Sequence, residues 1–345
     1  MDELRGSSTT ILPLRIWQPP RAFPHTGARS AATRYPRAQP DDNHEKETHV
    51  PKAICNGVGI HYEISAPENS KPIILIGGVG TQLTRWSEPF VQTLAAHGFR
   101  VIRFDNRDIG LSDGHEDAGV PDFRAVLAAK ARGEAPAVPY TLDDMADDVA
   151  ALLDHLQIER AHVAGASMGG MIAQLVAIRH PQRTASLTSI MSSTGNPDLP
   201  KATDAASQAL TGRRADPRVD RAAFLDEAVM RAQVIGSPAH AEDAAELRAR
   251  AEEDLDRAFR PDGFARQYAA ILAAPDRRPA LARLSVPTLV IHGADDPLVR
   301  AEGGRDTAAH VPGARLLEIA GMGHNIPHAL NRQIADAIAE LAARA

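Results

Sequence analysis

Cysteine is almost absent from this chain of 345 residues, since Cys55 is the only one. A single thiol excludes an internal disulfide and a zinc site built from several cysteines. Cys55 lies in the segment AICNGVGIHYEIS, which predicts a β-hairpin and not the loop that presents a nucleophilic thiol. We therefore expect Cys55 to be a packing residue.

The chain also lacks a long apolar run and an excess of positive charge. Its longest apolar runs, PIILIGG and MIAQLVAI, are far shorter than the roughly 18–20 residues that span a bilayer. The formal net charge of -6 gives no electrostatic reason to expect nucleic acid or an anionic membrane as a partner. These features predict a cytoplasmic globular protein, with no indication of its oligomeric state.

Composition separates residues 1–50 from the rest of the chain. Between Arg5 and Pro40 there are six arginines, six prolines and no acidic residue. The apolar stretch ILPLRIW is too short and too interrupted to be the core of a secretory signal. The segment predicts a disordered extension. An organelle leader or a start codon assigned too far upstream are the alternatives, and nothing catalytic is expected there.

From about residue 51 onward, strand-like and helix-like segments alternate. Continuous apolar runs predict buried strands at 72–78, 100–105, 160–167, 186–192, 287–293 and 314–321. A helix started by Thr141 is predicted from apolar residues at three- and four-residue steps, namely Leu142, Met145, Val149, Leu152 and Leu156. Ile334, Ile338 and Leu341 repeat this spacing near the end of the chain. The alternation predicts an α/β fold with a mainly parallel sheet and right-handed connections.

The alternation stops between residues 195 and 276. This segment has charged, alanine-rich stretches with helical character and no strand-like run. A helical insertion in a parallel α/β pattern is expected above the carboxyl edge of the sheet, where open α/β folds place their sites. The sequence thus predicts one α/β core, residues 51–194 and 277–345, and a helical lid, residues 195–276.

The stretch VAGASMGG surrounds Ser167 with the glycines Gly165, Gly169 and Gly170. It follows a predicted strand and precedes a predicted helix, which is the context of the G-x-S-x-G nucleophile elbow. In such a turn the serine backbone is strained, and strand and helix approach too closely for side chains at the flanking positions. A plain glycine-rich turn of a nucleotide-binding fold is the alternative, but the stretch does not match G-x-G-x-x-G.

A serine nucleophile needs an imidazole base and a carboxylate that orients it, in the chain order Ser, Asp, His. His324 follows the predicted strand 314–321, among small residues. Asp296 follows the strand 287–293 and directly precedes Pro297, and we expect it to be the carboxylate; Asp295 is the alternative. His324 and His328 have the spacing of a metal pair, but Pro327 opposes a helix that carries both. No metal or cofactor is expected.

An acyl-transfer site also needs N–H donors for the developing oxyanion. We expect one from Met168, directly after the serine. The second is expected from the glycine-rich loop IGGVGTQLTRW that follows the strand 72–78. Val79 is the expected donor there, and Gly78 is the alternative.

Four ordered motifs of residues 53–345 resemble those of the α/β-hydrolase superfamily. FDNRDIGLSD is similar to its D-x-R-x-x-G-x-S loop, GASMGG to its nucleophile elbow, HGADDPLV to its acid loop and GMGH to its histidine loop. Within the superfamily, FDNRDIGLSD and IAGMGHNIP most resemble the branch of small-molecule ester hydrolases that contains aclacinomycin methylesterase. One departure is Gly77, which replaces the histidine of the usual H-G pair.

The resemblance implies an α/β-hydrolase fold and a cofactor-free serine esterase. Ser167, His324 and Asp296 would form its catalytic triad, and its partner would be a small-molecule ester. A lactonase, a C–C bond hydrolase or a perhydrolase would use the same triad. A ligand-binding protein without catalysis is the alternative from another functional class, and reaction of Ser167 with a fluorophosphonate would distinguish it.

Overall fold

The predicted strands form one eight-stranded sheet in the computed structural model, which describes residues 52–65 and 70–345. The strands are β1 (Lys52–Cys55), β2 (Val58–Ser65), β3 (Lys71–Ile76), β4 (Phe99–Phe104), β5 (Ala161–Ala166), β6 (Thr184–Ile190), β7 (Thr288–Gly293) and β8 (Arg315–Ile319). Their order is β1-β2-β4-β3-β5-β6-β7-β8. All neighbours from β4 to β8 are parallel, whereas β2 is antiparallel to both β1 and β4. The predicted α/β-hydrolase architecture is confirmed.

The hairpin predicted around Cys55 is β1 and β2. Its two-residue turn, Asn56 and Gly57, has φ values of 50° and 80°. Positive φ at both positions is what a tight turn with the twist of its strands requires. Cys55 is buried in β1, and burial raises the pKa of its thiol to about 12. The thiol is therefore protonated at neutral pH.

Eleven helices accompany the sheet in the described part of the chain. They are α1 (Glu88–Ala96), α2 (Phe123–Ala131), α3 (Leu142–His155), α4 (Met168–Arg179), α5 (Asp204–Thr211), α6 (Arg221–Ile235), α7 (Ala244–Arg257), α8 (Pro261–Ala273), α9 (Arg278–Leu281), α10 (Ala301–His310) and α11 (Asn331–Ala342). None of them is long and apolar enough to cross a membrane.

The helix predicted after Thr141 is α3, and its first turn has a capping box. The Thr141 hydroxyl accepts from the Asp144 N–H, and the Asp144 carboxylate accepts from the Thr141 N–H. These bonds satisfy backbone groups that a helix end leaves open. The apolar faces of α3 and α4 pack in one buried cluster, while those of α1 and α11 pack in a second cluster. Helices therefore cover the sheet as its continuous apolar strands require.

Residues 195–276 contain α5 to α8 and no strand. We call this segment the helical insertion. Its helix α8 is joined to the loop after β4 by Arg266, which donates to both carboxylate oxygens of Asp108 at 2.8 Å. Both side chains are almost completely buried. The role of the insertion as a lid stays a prediction, and the extension predicted at residues 1–50 lies outside the described residues.

Candidate active site

Ser167 lies at the junction of β5 and α4 with a strained backbone. Its φ of 55° and ψ of -119° are rare for a residue with a side chain. Two hydrogen bonds hold it there: its N–H donates to the carbonyl of Ile190 at 2.9 Å, and its own carbonyl accepts from the Ser192 hydroxyl at 2.8 Å. Ile190 is the last residue of the neighbouring strand β6, and Ser192 follows it two residues later. The sheet thus imposes the conformation of the serine.

The three glycines around Ser167 allow backbone elements to touch. A Cβ placed on Gly165 would collide with the carbonyl oxygen of Gly169, and one on Gly169 would collide with that of Ile76. A Cβ on Gly170 would lie 2.5 Å from Cβ of Ser192. The helix α4 can therefore begin directly against β3 and β5 only where no side chain intervenes, and this close approach is the reason for the glycines.

His324 and Asp296 are both brought to Ser167. Nε2 of His324 lies 3.0 Å from Oγ of Ser167, and Nδ1 lies 2.7 Å from Oδ2 of Asp296. Because a carboxylate only accepts, this contact assigns the ring proton to Nδ1 and leaves the lone pair of Nε2 toward the serine hydroxyl. The three side chains form a continuous chain of hydrogen bonds, which we call the Ser167 cluster.

Asp296 is buried and has its second oxygen occupied. Oδ1 accepts from the backbone N–H groups of Leu298 at 2.8 Å and Val299 at 2.9 Å. These bonds orient the carboxylate so that Oδ2 faces His324. Asp295, the alternative at sequence level, points elsewhere, since its Oδ2 accepts from the N–H of Gly321 at 2.7 Å.

His292, in β7, contacts the loop that carries Asp296. Its Nε2 lies 2.7 Å from the carbonyl oxygen of Val299, which can only accept. Burial lowers the pKa of His292, and the neutral ring then carries its proton on Nε2. The same nitrogen is 3.7 Å from Oδ2 of Asp296. His292 is therefore a neutral ring that a hydrogen bond holds beside the carboxylate.

The loop that carries His324 is held by the helical insertion. The His324 N–H donates to the carbonyl of Ile235 at 2.7 Å, and the Gly323 N–H donates to the hydroxyl of Ser237 at 2.9 Å. The Ser237 hydroxyl in turn donates to Oδ1 of Asn325 at 2.6 Å. The imidazole is thus positioned from the core and from the insertion together.

Met168 follows Ser167 directly in the chain, and Gly78 packs against Ser167. Met168 is the first residue of α4, where N–H groups have no partner within the helix. A Cβ placed on Gly78 would lie 3.4 Å from Cβ of Ser167, so the loop that contains Gly78 and Val79 passes next to the serine. Asn106 holds this loop by donating to the Gly77 carbonyl at 3.1 Å. The choice between Val79 and Gly78 stays a prediction.

Sequence reasoning missed Ser192, His292, Ser237 and Ile235. Ser192 could have been found, because it is a polar residue at the carboxyl end of the strand next to the serine strand. His292 could also have been found, because it is a polar residue within an otherwise apolar strand. Ser237 and Ile235 had no local signal, since the residues that they contact lie more than 80 positions away in the chain.

No metal site accompanies this cluster within residues 52–65 and 70–345, where no three His, Cys, Asp or Glu side chains are grouped to hold an ion. His328 lies in a short 3₁₀ helix (His328–Leu330) after Pro327, and not on one helix with His324.

Comparison with known proteins identifies relatives of this chain. Residues 71–328 match the model of the α/β hydrolase fold family. Rhodomycin D methylesterase DauP of Streptomyces sp. is 30% identical over 289 residues, which cover 77% of this chain and 89% of that protein. The 3-oxoadipate enol-lactonase 2 of Acinetobacter baylyi is 28% identical over 257 residues, which cover 74% and 82% of the two chains.

Solved structures agree. The enol-lactonase from Burkholderia xenovorans aligns with a TM-score of 0.60 at 27% identity, covering 85% of this chain and 98% of that one. The predicted resemblance to the superfamily and to its methylesterase branch is confirmed. The chain belongs to the α/β-hydrolase family.

Proposed function

We propose that this protein hydrolyses a small-molecule carboxylic ester through Ser167, His324 and Asp296. The observation that carries the proposal is the continuous hydrogen-bond chain from Asp296 to Ser167, with contacts of 2.7 Å and 3.0 Å. This is the geometry in which an imidazole accepts the proton of a hydroxyl as that hydroxyl attacks a carbonyl. The similarity to rhodomycin D methylesterase supports an ester as the substrate.

In the first half-reaction, the Ser167 hydroxyl attacks the ester carbonyl carbon while Nε2 of His324 takes its proton. Asp296 keeps the other ring proton on Nδ1 and stabilises the imidazolium that forms. The N–H groups of Met168 and Val79 donate to the oxyanion of the tetrahedral intermediate. Its collapse breaks the ester C–O bond, and His324 gives the proton to the departing alkoxide.

In the second half-reaction, water replaces the alcohol. Nε2 of His324 takes a proton from the water as its oxygen attacks the acyl-enzyme carbonyl. The C–O bond to Ser167 then breaks, the proton returns to the serine, and the carboxylic acid leaves.

A lactone is a cyclic ester, so a lactonase would use the same steps, and the similarity to an enol-lactonase favours it as the second candidate. The two are separated by substrate: an open-chain ester yields two products, whereas a lactone yields one. Comparing hydrolysis of aryl and alkyl methyl esters with that of five- and six-membered lactones distinguishes them.

The decisive experiment combines a fluorophosphonate probe with ester kinetics. We expect the parent protein to be labelled and to hydrolyse 4-nitrophenyl esters, and Ser167→Ala to lose labelling and to lower kcat by roughly 10⁴–10⁶-fold. Ser207→Ala, at a half-buried serine of α5, is the matched control and keeps both. A Ser167→Ala variant that hydrolyses esters at the parent rate would refute the proposal.

We further propose that the helical insertion serves as a lid over the Ser167 cluster and that the protein is cytoplasmic. The contacts of Ile235 and Ser237 with the His324 loop support the first. Fractionation of the producing cells tests the second.

A further inference from the structure

A cavity of about 140 Å³ lies between the helical insertion and the core. Its volume is close to the roughly 150 Å³ of an engineered cavity that binds benzene. Three aromatic rings from the insertion line it, those of Phe224, Phe259 and Phe264. The phenyl rings of Phe224 and Phe259 meet edge to face with centroids 5.7 Å apart. The space therefore fits a flat group of ring size.

One part of the cavity wall lies near Ser167, although Ser167 itself does not line the cavity. Gly80 is part of its wall, and Phe264 packs so closely on Gly80 that a Cβ there would lie 2.7 Å from the ring. Gly80 is two residues after Gly78, which packs against Ser167. Consecutive Cα atoms are about 3.8 Å apart, so the wall at Gly80 lies within roughly 12 Å of Cβ of Ser167. A substrate that extends over this distance would span Ser167 and the wall at Gly80.

The cavity wall has more positive than negative groups. It contains Arg85, Arg214 and Arg260 but one carboxylate, Asp254. Arg85 is paired with Asp254 at 2.8 Å. Arg260 is paired with Glu116 at 2.5 Å and also donates to the Gly110 carbonyl. Two of the three arginines are therefore neutralised.

Arg214 is the exception. It makes no hydrogen bond or ion pair with any residue of the ranges 52–65 and 70–345, and its contact is with the Phe264 ring, 5.1 Å from Cζ to the centroid. Glu227 is occupied elsewhere, since it accepts from the Ala215 N–H at 2.9 Å and lies 3.9 Å from Arg231. A guanidinium stacked on an aromatic ring keeps its N–H edge free for an anion.

The surroundings of Arg214 increase its attraction for an anion. Its side chain is exposed to solvent, yet many protein atoms lie around it. Desolvation by these atoms, together with the cations Arg231 and Arg85, lowers the pKa of Arg214 to about 10, while Glu227 acts in the opposite direction. The group is still charged at neutral pH, and no carboxylate of residues 52–65 and 70–345 forms an ion pair with it. A bound anion would supply the missing ion-pair partner.

We infer that the cavity is a substrate subsite in which Arg214 binds an ionised carboxylate. The ester cleaved at Ser167 would then carry a free carboxylate in addition to its ester group. A flat or extended group of ring size would separate the two. This inference rests on the proposed function and specifies its substrate class as half-esters of dicarboxylic acids. A guanidinium binds a carboxylate through two parallel hydrogen bonds, which neutral esters cannot offer.

Matched pairs of esters test the inference. Monomethyl terephthalate carries the carboxylate, and methyl 4-carbamoylbenzoate replaces it by a neutral amide of nearly the same shape. Monomethyl adipate and methyl adipamate are a flexible second pair. We expect the parent enzyme to favour the acid by about 10- to 100-fold in kcat/KM in at least one pair, the effect of a charge-assisted hydrogen bond.

Two neighbouring arginines provide the variants. Arg214→Gln is expected to bring the acid-to-amide ratio close to one, mainly through KM for the acid. Arg213→Gln removes an exposed charge beside it that is not part of the cavity wall, and it keeps the parental ratio. The inference would be overturned if the parent enzyme preferred the acid in neither pair. It would also be overturned if Arg214→Gln lowered kcat/KM equally for the acid and the amide.

Binding to Ser167→Ala separates this inference from the proposed function. Calorimetry with monomethyl terephthalate should show binding that Arg214→Gln weakens at least tenfold in the Ser167→Ala background. If this binding is found while the parent cleaves no ester, the anion subsite stands and the hydrolase proposal fails. If the parent cleaves neutral esters through Ser167 without any acid preference, the hydrolase proposal stands and the subsite fails.

Discussion

The N–H of His324 donates a 2.7 Å hydrogen bond to the carbonyl oxygen of Ile235, the last residue of α6 in the helical insertion. The ring of the same histidine contacts Asp296 and Ser167 of the core. His324 is therefore held by two parts of the fold at once. A shift of α6 would move the imidazole relative to the serine hydroxyl, which connects the insertion to the geometry of the Ser167 cluster.

Replacing Ser237 tests this connection. Ser237→Ala removes the acceptor of the Gly323 N–H and the donor to Asn325, so we expect the His324 loop to shift. A small displacement of a catalytic group is costly, and we predict that kcat falls about 10- to 100-fold with KM nearly unchanged. Steady-state kinetics and the rate of fluorophosphonate labelling measure the effect.

Ser237→Thr keeps the hydroxyl and should recover most of kcat. An equal change in kcat and KM, or an alanine variant as active as the parent, would contradict a positioning role.

Asp296 and Asp295 provide a matched pair of acid-loop variants. Asp296→Asn replaces the acceptor of the His324 ring proton by an amide, and we predict a loss of about 10⁴-fold in kcat. Asp295→Asn retains a side-chain oxygen for the Gly321 N–H, so kcat should stay within about tenfold of the parent value. The kcat of each variant on one 4-nitrophenyl ester shows which of the two carboxylates orients the imidazole. Equal losses in the two variants would argue against Asp296 as the orienting carboxylate.

Gly169 is predicted to be intolerant of any side chain. A Cβ there would overlap the carbonyl oxygen of Ile76, which belongs to the central strand β3 and cannot retreat. Backbone collisions in a packed core are among the most destabilising changes, and we expect Gly169→Ala to lower the free energy of unfolding by more than about 3 kcal/mol. Gly133→Ala is the control, because its site is open and its φ of 72° costs only about 1–2 kcal/mol. Urea unfolding monitored by circular dichroism compares them.

The ion pair of Asp108 with Arg266 joins the insertion to the core. Arg266→Ala would leave the buried Asp108 carboxylate without its cation, and we predict a loss of about 3–5 kcal/mol in the free energy of unfolding. Arg221→Ala removes an exposed pair with Asp256 and should change nothing measurable. Urea unfolding at neutral pH tests both, and a negligible loss in Arg266→Ala would contradict the prediction.

The ion pair of Asp108 with Arg266 also predicts that the free energy of unfolding depends on pH in the acidic range. Burial acts to raise the pKa of Asp108, but hydrogen bonds from Arg266 and Tyr140 outweigh it and hold this pKa below its usual range. The unfolded carboxyl titrates near about pH 3.9, so the contribution of Asp108 to stability is complete above roughly pH 5 and is lost as the pH falls further. The difference in unfolding free energy between the parent and Asp108→Asn should therefore shrink between pH 5 and pH 3. A constant difference would contradict this assignment.

Much of the fold could be predicted because its signals are local. Apolar runs marked all six predicted strands to within about three residues, and Thr141 marked the start of α3. The hairpin of β1 and β2 was predicted around Cys55, but its antiparallel pairing with β4 was not, because the order of strands depends on contacts far apart in the chain.

The position of Arg214 in the cavity wall had no signal at sequence level. The cavity with Arg214 depends on how a loop between α5 and α6 packs over Phe264, and nothing in the composition of the insertion distinguishes Arg214 from Arg213. Both are charged residues in an irregular segment, and only packing directs one of them into the cavity.

The sequence by itself determined the strand–turn–helix around Ser167, because the need for glycine and the apolar strand before it are properties of neighbouring residues. Only the tertiary structure decided that Asp296 and not Asp295 contacts the imidazole, and that Ile235 holds the backbone of His324. Packing of whole elements decides where a side chain in a turn points and which residues meet across 89 positions of the chain. No short stretch of sequence contains that information.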